Sequence, residues 1–190
     1  MDAPLFFQRF PVNAFRLFLA SLLLVLTPAA LRAADPATFT VGSFTFKRPP
    51  SWKWVAVGNN SMRKAQLRVD GEGGASADVV FFTFGAGQGG GVQNNVSRWV
   101  GQFEQVDGKA VKPVEETAEI KGTKLTRVRV DSGVFNSGMP GGPTTPQTDY
   151  GLYGAILENK EGDVFIKLTG PAALVRAAAA DFEALIQSPF

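Results

Sequence analysis

The chain has 190 residues, with 19 basic and 17 acidic side chains and neither histidine nor cysteine. Those two absences remove the commonest general base near neutral pH, the thiol nucleophile, and the usual ligands of zinc and copper. The chemistry that survives belongs to carboxylates, lysine, serine and tyrosine.

The first element is a leader. Arg9 and Arg16 make its start positive, an apolar run extends from Leu17 to Leu26 broken only by Ser21, and Thr27-Pro28 ends that run. Small residues from Ala29 to Ala34 follow, which completes the order of a secretory signal. A retained membrane anchor is the alternative, but a spanning helix needs about 20 apolar residues, and this run is too short. Residues 1–33 are therefore read as a signal peptide cut after Ala33 or Ala34. Residues 34–190 are read as one exported domain, periplasmic or secreted, which meets the membrane only through its leader. With no cysteine at the cut, a lipid-modified amino terminus is excluded. The leader holds Arg9, Arg16 and Arg32 against Asp2, so sixteen basic and sixteen acidic groups remain beyond it. A neutral domain lacks the positive footprint that phosphate neutralisation requires, which argues against a nucleic-acid partner. The remaining 157 residues suffice to bury roughly 70% of the unfolded surface, so a core holds this domain without disulfides.

Thr38–Phe46 reads as one strand bulged at Gly42, and Pro49-Pro50 stops it. Trp52–Val57 forms a short second strand ended by Gly58-Asn59-Asn60. Met62–Val69 alternates like a half-buried strand. After a glycine-rich turn, Asp78–Phe84 is apolar enough to be central. The period then changes: Val92, Val96, Trp99 and Phe103 share one face of a helix of about three turns, while Asn94, Arg98 and Gly101 lie opposite. Val114–Ile120 and Thr123–Val130 form a hairpin around Lys121-Gly122. Asn136–Asp149, rich in Gly, Pro and Thr, reads as a long exposed loop. Strands Gly151–Glu158 and Val164–Leu168 lead to a final helix capped by Gly170, with Pro171 at its first position. Leu174, Val175, Ala178, Phe182, Leu185 and Ile186 form the buried face of that helix. Strands joined by short turns pair mostly antiparallel. The expected fold class is thus α+β, a twisted antiparallel sheet sandwiched by two or more helices.

Several residue groups invite chemical readings. Gly85, Gly87 and Gly90 match G-x-G-x-x-G between a strand and a helix, with Glu104 about 20 residues on from the start, as in a dinucleotide fingerprint. The segment beyond the helix is an antiparallel hairpin rather than the second parallel strand such a unit needs, so the loop reads as a strand-to-helix crossover. Gly89, Gly90, Gly91 and Val92 at the helix start remain a possible anion or partner contact. Ser61 and Lys64 match S-x-x-K, but on a strand positions i and i+3 face opposite sides. Glu115, Glu116 and Glu119 read as solvated strand acids, and Asp70, Glu72 and Asp78 flank a turn without calcium-loop spacing. Trp99 reads as core, whereas Trp52 and Trp54 share a face and read as partly exposed. No catalytic residue, metal ligand or cofactor site is assigned.

A family likeness spans nearly the whole exported part. It rests on Phe46-x-x-Pro49-x-x-Trp52, on Ser61-Met62-Arg63-x-Ala65, and on Phe84-Gly85-x-Gly87-Gln88-Gly89-Gly90 followed by Asn95-x-x-Arg98-Trp99-x-x-Gln102-Phe103. Gly154-Ala155-Ile156, Lys167-Leu168-Thr169-Gly170-Pro171 and Phe182-x-x-Leu185-Ile186-x-Ser188 complete it. These blocks resemble a group of uncharacterised exported bacterial proteins, and the order of elements resembles the PsbP-like fold, also seen in DcrB-type envelope proteins. The resemblance implies a sheet between helices and a non-catalytic binding or assembly role toward an envelope protein or a small ligand. The competing expectation is a small envelope hydrolase that uses carboxylate or Ser/Lys groups.

Overall fold

A computed structural model describes residues 34–58, 62–137 and 145–190. Residues 1–33, expected to form a signal peptide, Asn59 and Asn60 of the expected turn, Ser61, and the centre of the Asn136–Asp149 segment lie outside these residues. Among the described residues, ten strands and three α-helices run in the order β1 (Thr38–Val41), β2 (Phe44–Lys47), β3 (Lys53–Val55), β4 (Ala65–Asp70), β5 (Ser76–Thr83), α1 (Val92–Val100), β6 (Phe103–Glu104), β7 (Val114–Ile120), β8 (Thr123–Ser137), β9 (Thr145–Leu157), β10 (Val164–Pro171), α2 (Ala172–Ala177) and α3 (Ala179–Gln187). The main sheet has the order β3-β4-β5-β10-β9-β8, and β7 and β6 lie end to end along the outer edge of β8. Every pairing is antiparallel.

Period-two alternation decides which core each side chain enters. In β10, Val164, Ile166 and Leu168 point to one face with Ala77, Val79 and Phe81 of β5, and all six are buried in one cluster. The β1–β2 hairpin, α2 and α3 cover that face: Phe39 and Phe46 pack against Phe81 at 5.0 and 5.3 Å between ring centroids. Val175, Phe182, Leu185 and Ile186 close it. On the opposite face, α1 lays Val96 and Trp99 over Val128, Val130, Leu152, Ile156 and Phe165. Helices on both faces of an antiparallel sheet confirm the expected α+β sandwich. Arg127 of β8 grips Glu183 of α3 with both nitrogens of its fork. Burial raises the pKa of Glu183, and the bonds from Arg127 and Gln187 outweigh it and hold the group below the usual carboxylate value.

Four expectations change. The bulged strand is a hairpin: Gly42, at φ +56, takes the corner between two short strands, a conformation that glycine adopts without steric cost. The first helix stops at Val100, and Phe103 continues as strand β6 against Phe135. The described ends of the segment Asn136–Asp149 are sheet: β8 runs to Ser137 and β9 starts at Thr145, with Asn136 paired to Pro146. Cross-strand pairing there overrides a composition that reads as loop. The last helix starts one residue later, at Ala172, and breaks at Ala178 into α2 and α3. The Lys121-Gly122 turn is as expected, with both residues at positive φ as a type I′ hairpin demands.

Candidate functional site

The face covered by α1 is only partly filled. Beside the helix lies a cleft of about 940 Å³, at the upper end of the range for small-molecule sites, roughly 300–1,000 Å³. Its floor follows from strand register. Phe165, Lys167 and Thr169 of β10 stand opposite Phe82, Val80 and Asp78 of β5, and all six line the cleft. One wall is α1 with Asn95, Arg98 and Trp99, continued by Gln102. A second comes from the β8–β9 ribbon, where Phe135 and Tyr150 stack 5.9 Å apart with ring planes 4° from parallel. Met62 and Arg63 sit at the margin beside β4.

Lys167 is the most unusual residue of this surface. It interrupts the apolar run Val164–Leu168 of a central strand, and its only side-chain hydrogen bond among the described residues goes to Gln102 Oε1. Its ammonium lies 5.0 Å from the centroid of the Phe135 ring, within cation–π range. Burial, with the Arg98 guanidinium adding to it, lowers the Lys167 pKa to about 8. Arg98 donates to Asn95 Oδ1. Among the described residues, neither Lys167 nor Arg98 has a carboxylate at ion-pair distance. Thr169 Oγ1 is buried and has no hydrogen-bond partner among the described residues.

The glycine loop supports this arrangement from behind. Asn95 Nδ2 donates to Gly89 O and Gly91 O, each at 2.7 Å, and Asn94 Nδ2 donates to Gly90 O at 2.9 Å. The loop thus turns its carbonyls to the helix and fixes Asn95, which accepts from Arg98. Gly89 through Val92 do not line the cleft. Gly89 is a glycine for lack of space: a Cβ there would lie 2.6 Å from Phe165 Cζ, and Phe165 is itself buried. Gly89→Ala is expected to cost about 1–3 kcal/mol, as overpacking does, and urea unfolding checks it. An unchanged midpoint would mean that the loop relaxes freely.

The other chemical candidates do not converge. Glu115, Glu116 and Glu119 lie exposed on the outer strand β7. Lys64 is exposed, and its S-x-x-K partner Ser61 is outside the described residues. Asp70 forms ion pairs with Lys53 and Arg68. Trp52, expected with Trp54 to be partly exposed, is 1% exposed within the first core, while Trp54 is half-buried against the same core beside Phe39. Sequence reading missed Lys167 and Arg98 as site residues. A lysine in the run Val164–Leu168 was the available signal, since an unpaired charge within an apolar strand is costly. Arg98 gave none, because a helix's polar face looks the same over solvent and over a cleft.

No protein-family model matches the chain, and no curated protein matches it either. Among solved structures, it is similar to a protein from Bacteroides thetaiotaomicron VPI-5482, with 11% identity and TM-score 0.44 over 82% of this chain. The chain spans about half, 48%, of that longer protein. It is also similar to the solution structure of cyanobacterial PsbP (CyanoP) from Synechocystis sp. PCC 6803, with 11% identity and TM-score 0.51. That match covers 86% of this chain and 96% of CyanoP. An antiparallel sheet sandwiched by helices, matched over almost all of CyanoP, makes the fold of this chain PsbP-like.

Proposed function

We propose that this chain is a non-catalytic binding module of the bacterial cell envelope, exported by its leader, which holds its ligand in the cleft between α1 and the sheet. The observation that carries the reading is the cleft itself: about 940 Å³, lined in about equal part by apolar, mostly aromatic, side chains and by polar ones that include Lys167, Arg98 and Asp78. The neutral charge beyond the leader and the absence of histidine and cysteine support a binding role over an enzymatic one. So does the exposed, dispersed placement of Glu115 and Glu119. The PsbP-like fold is compatible with the role but does not specify it.

The test is thermal unfolding of the protein with small-molecule extract from bacterial envelopes, beside a cleft-filling variant, Val80→Phe. A ligand at about 100 times its Kd stabilises the folded state by about 2.7 kcal/mol, which raises Tm by about 5–10 °C in a domain of this size. The rise should vanish in Val80→Phe. Turnover of an envelope substrate would overturn the reading, and so would a Tm rise that Val80→Phe leaves intact.

A further inference from the structure

We infer that the cleft is built for an organic acid: a single carboxylate carried on a flat apolar body, the carboxylate bound by Lys167 with Arg98 and the body lying over Val80, Phe82 and Phe84. This rests on the proposal that the cleft is a binding site, and it goes further by naming the ligand's chemistry. Two observations point to an anion. Two cations, Lys167 and Arg98, line the same cleft, and neither meets a carboxylate among the described residues. A partly buried ammonium and a guanidinium lining one cleft repel, and an anion between them turns that repulsion into two charge-assisted hydrogen bonds. An ammonium offers three donors, and one of those at Lys167 goes to Gln102.

The body of the ligand follows from the walls. Phe82, Phe84, Phe165, Trp99, Phe135 and Tyr150 all contribute to the lining, and aromatic faces and edges favour a flat ring system. Asp78 at the other end of the floor, across from Thr169, sets the direction. It repels a carboxylate, so the acid head lies at Lys167 and the body extends toward Phe82 and Phe84. The ionisable groups facing the cleft are Lys167, Arg98, Arg63, Asp78 and Tyr150.

Calorimetric titration of the full domain with 2-naphthylacetate and with its neutral amide, 2-naphthylacetamide, tests the inference. The acid is expected to bind at least tenfold more tightly than the amide at pH 7. Lys167→Met should erase that difference. Arg98→Gln, at an exposed position, should reduce it by about threefold, in line with a shared charge-assisted contact. Acid affinity should also fall as the pH rises through about 8, where Lys167 loses its proton, while amide affinity stays level. Equal binding of acid and amide, acid binding that survives Lys167→Met, or no binding of either probe would each overturn the inference. If neither probe binds while envelope extract still raises Tm and Val80→Phe abolishes the rise, the acid assignment falls and the binding cleft stands.

Discussion

Trp99→Ala is expected to lower unfolding stability by about 3–5 kcal/mol, the usual cost of truncating a buried aromatic. Trp99 is 5% exposed and meets Phe165 edge-on, with ring centroids 6.5 Å apart. Its indole sits over Gly154, where a Cβ would lie 2.7 Å from Trp99 Cζ3. The residue therefore fastens α1 to the sheet at a place where the sheet offers no side chain of its own. Without it, the helix keeps Val96 as its remaining fully buried apolar anchor, and Arg98 is no longer held at the cleft. For a domain of about this size the loss corresponds to a Tm lower by roughly 10 °C, measurable by calorimetry. Trp99→Phe should recover part of it. A loss below about 1 kcal/mol would mean that α1 is anchored elsewhere.

The second large effect has the opposite sign. Lys167→Met should stabilise the protein at pH 7 by about 1–3 kcal/mol, because it removes a partly desolvated ammonium without a carboxylate partner and fills the same volume with an apolar side chain. The pH dependence follows from linkage. Lys167 titrates at about 8 in the folded protein, against 10.5 for the free side chain. Below about pH 8 both folded and unfolded states carry the proton, and the folded state bears the full cost of desolvation. Between about 8 and 10.5 the unfolded state binds more protons, so the stability of the wild type rises with pH. The advantage of Lys167→Met should therefore shrink across that window and vanish above it. Urea unfolding of both proteins at pH 7 and pH 10 measures it. A variant less stable than wild type at pH 7 would show that the Gln102 bond and the Phe135 contact outweigh desolvation. A gap unchanged at pH 10 would show that the ammonium is not its source. Together with the titrations above, a more stable protein that no longer distinguishes acid from amide would mark Lys167 as kept for binding at the expense of stability.

Much of this architecture is legible in the residues because local periodicity reports burial directly. Val79 and Phe81, or Val164, Ile166 and Leu168, alternate with residues of the other face, and the structure buries both sets where the alternation puts them. Val92, Val96 and Trp99 mark α1 by their spacing, and Lys121-Gly122 marks its hairpin by turn chemistry. The expectations that changed share one physical cause. Whether Gly42 bulges a strand or turns a corner, whether Pro146 lies in a loop or opposite Asn136, and whether Trp52 faces water depend on what packs nearby. Backbone propensity alone leaves those choices within a kcal/mol or so of each other.

By itself, then, the order of residues determined the class of fold, the two striped helical segments, and the chemistry excluded by the lack of imidazole and thiol, since each of these is a property of composition or of near neighbours along the chain. Tertiary structure decided the site. Lys167, Arg98, Thr169 and Phe135 come from β10, α1 and β8, and antiparallel register together with the crossing of α1 over Gly154 sets them around one cleft. The unmet charge of Lys167 exists only there, because a lysine becomes costly when folding takes it out of water without supplying an anion.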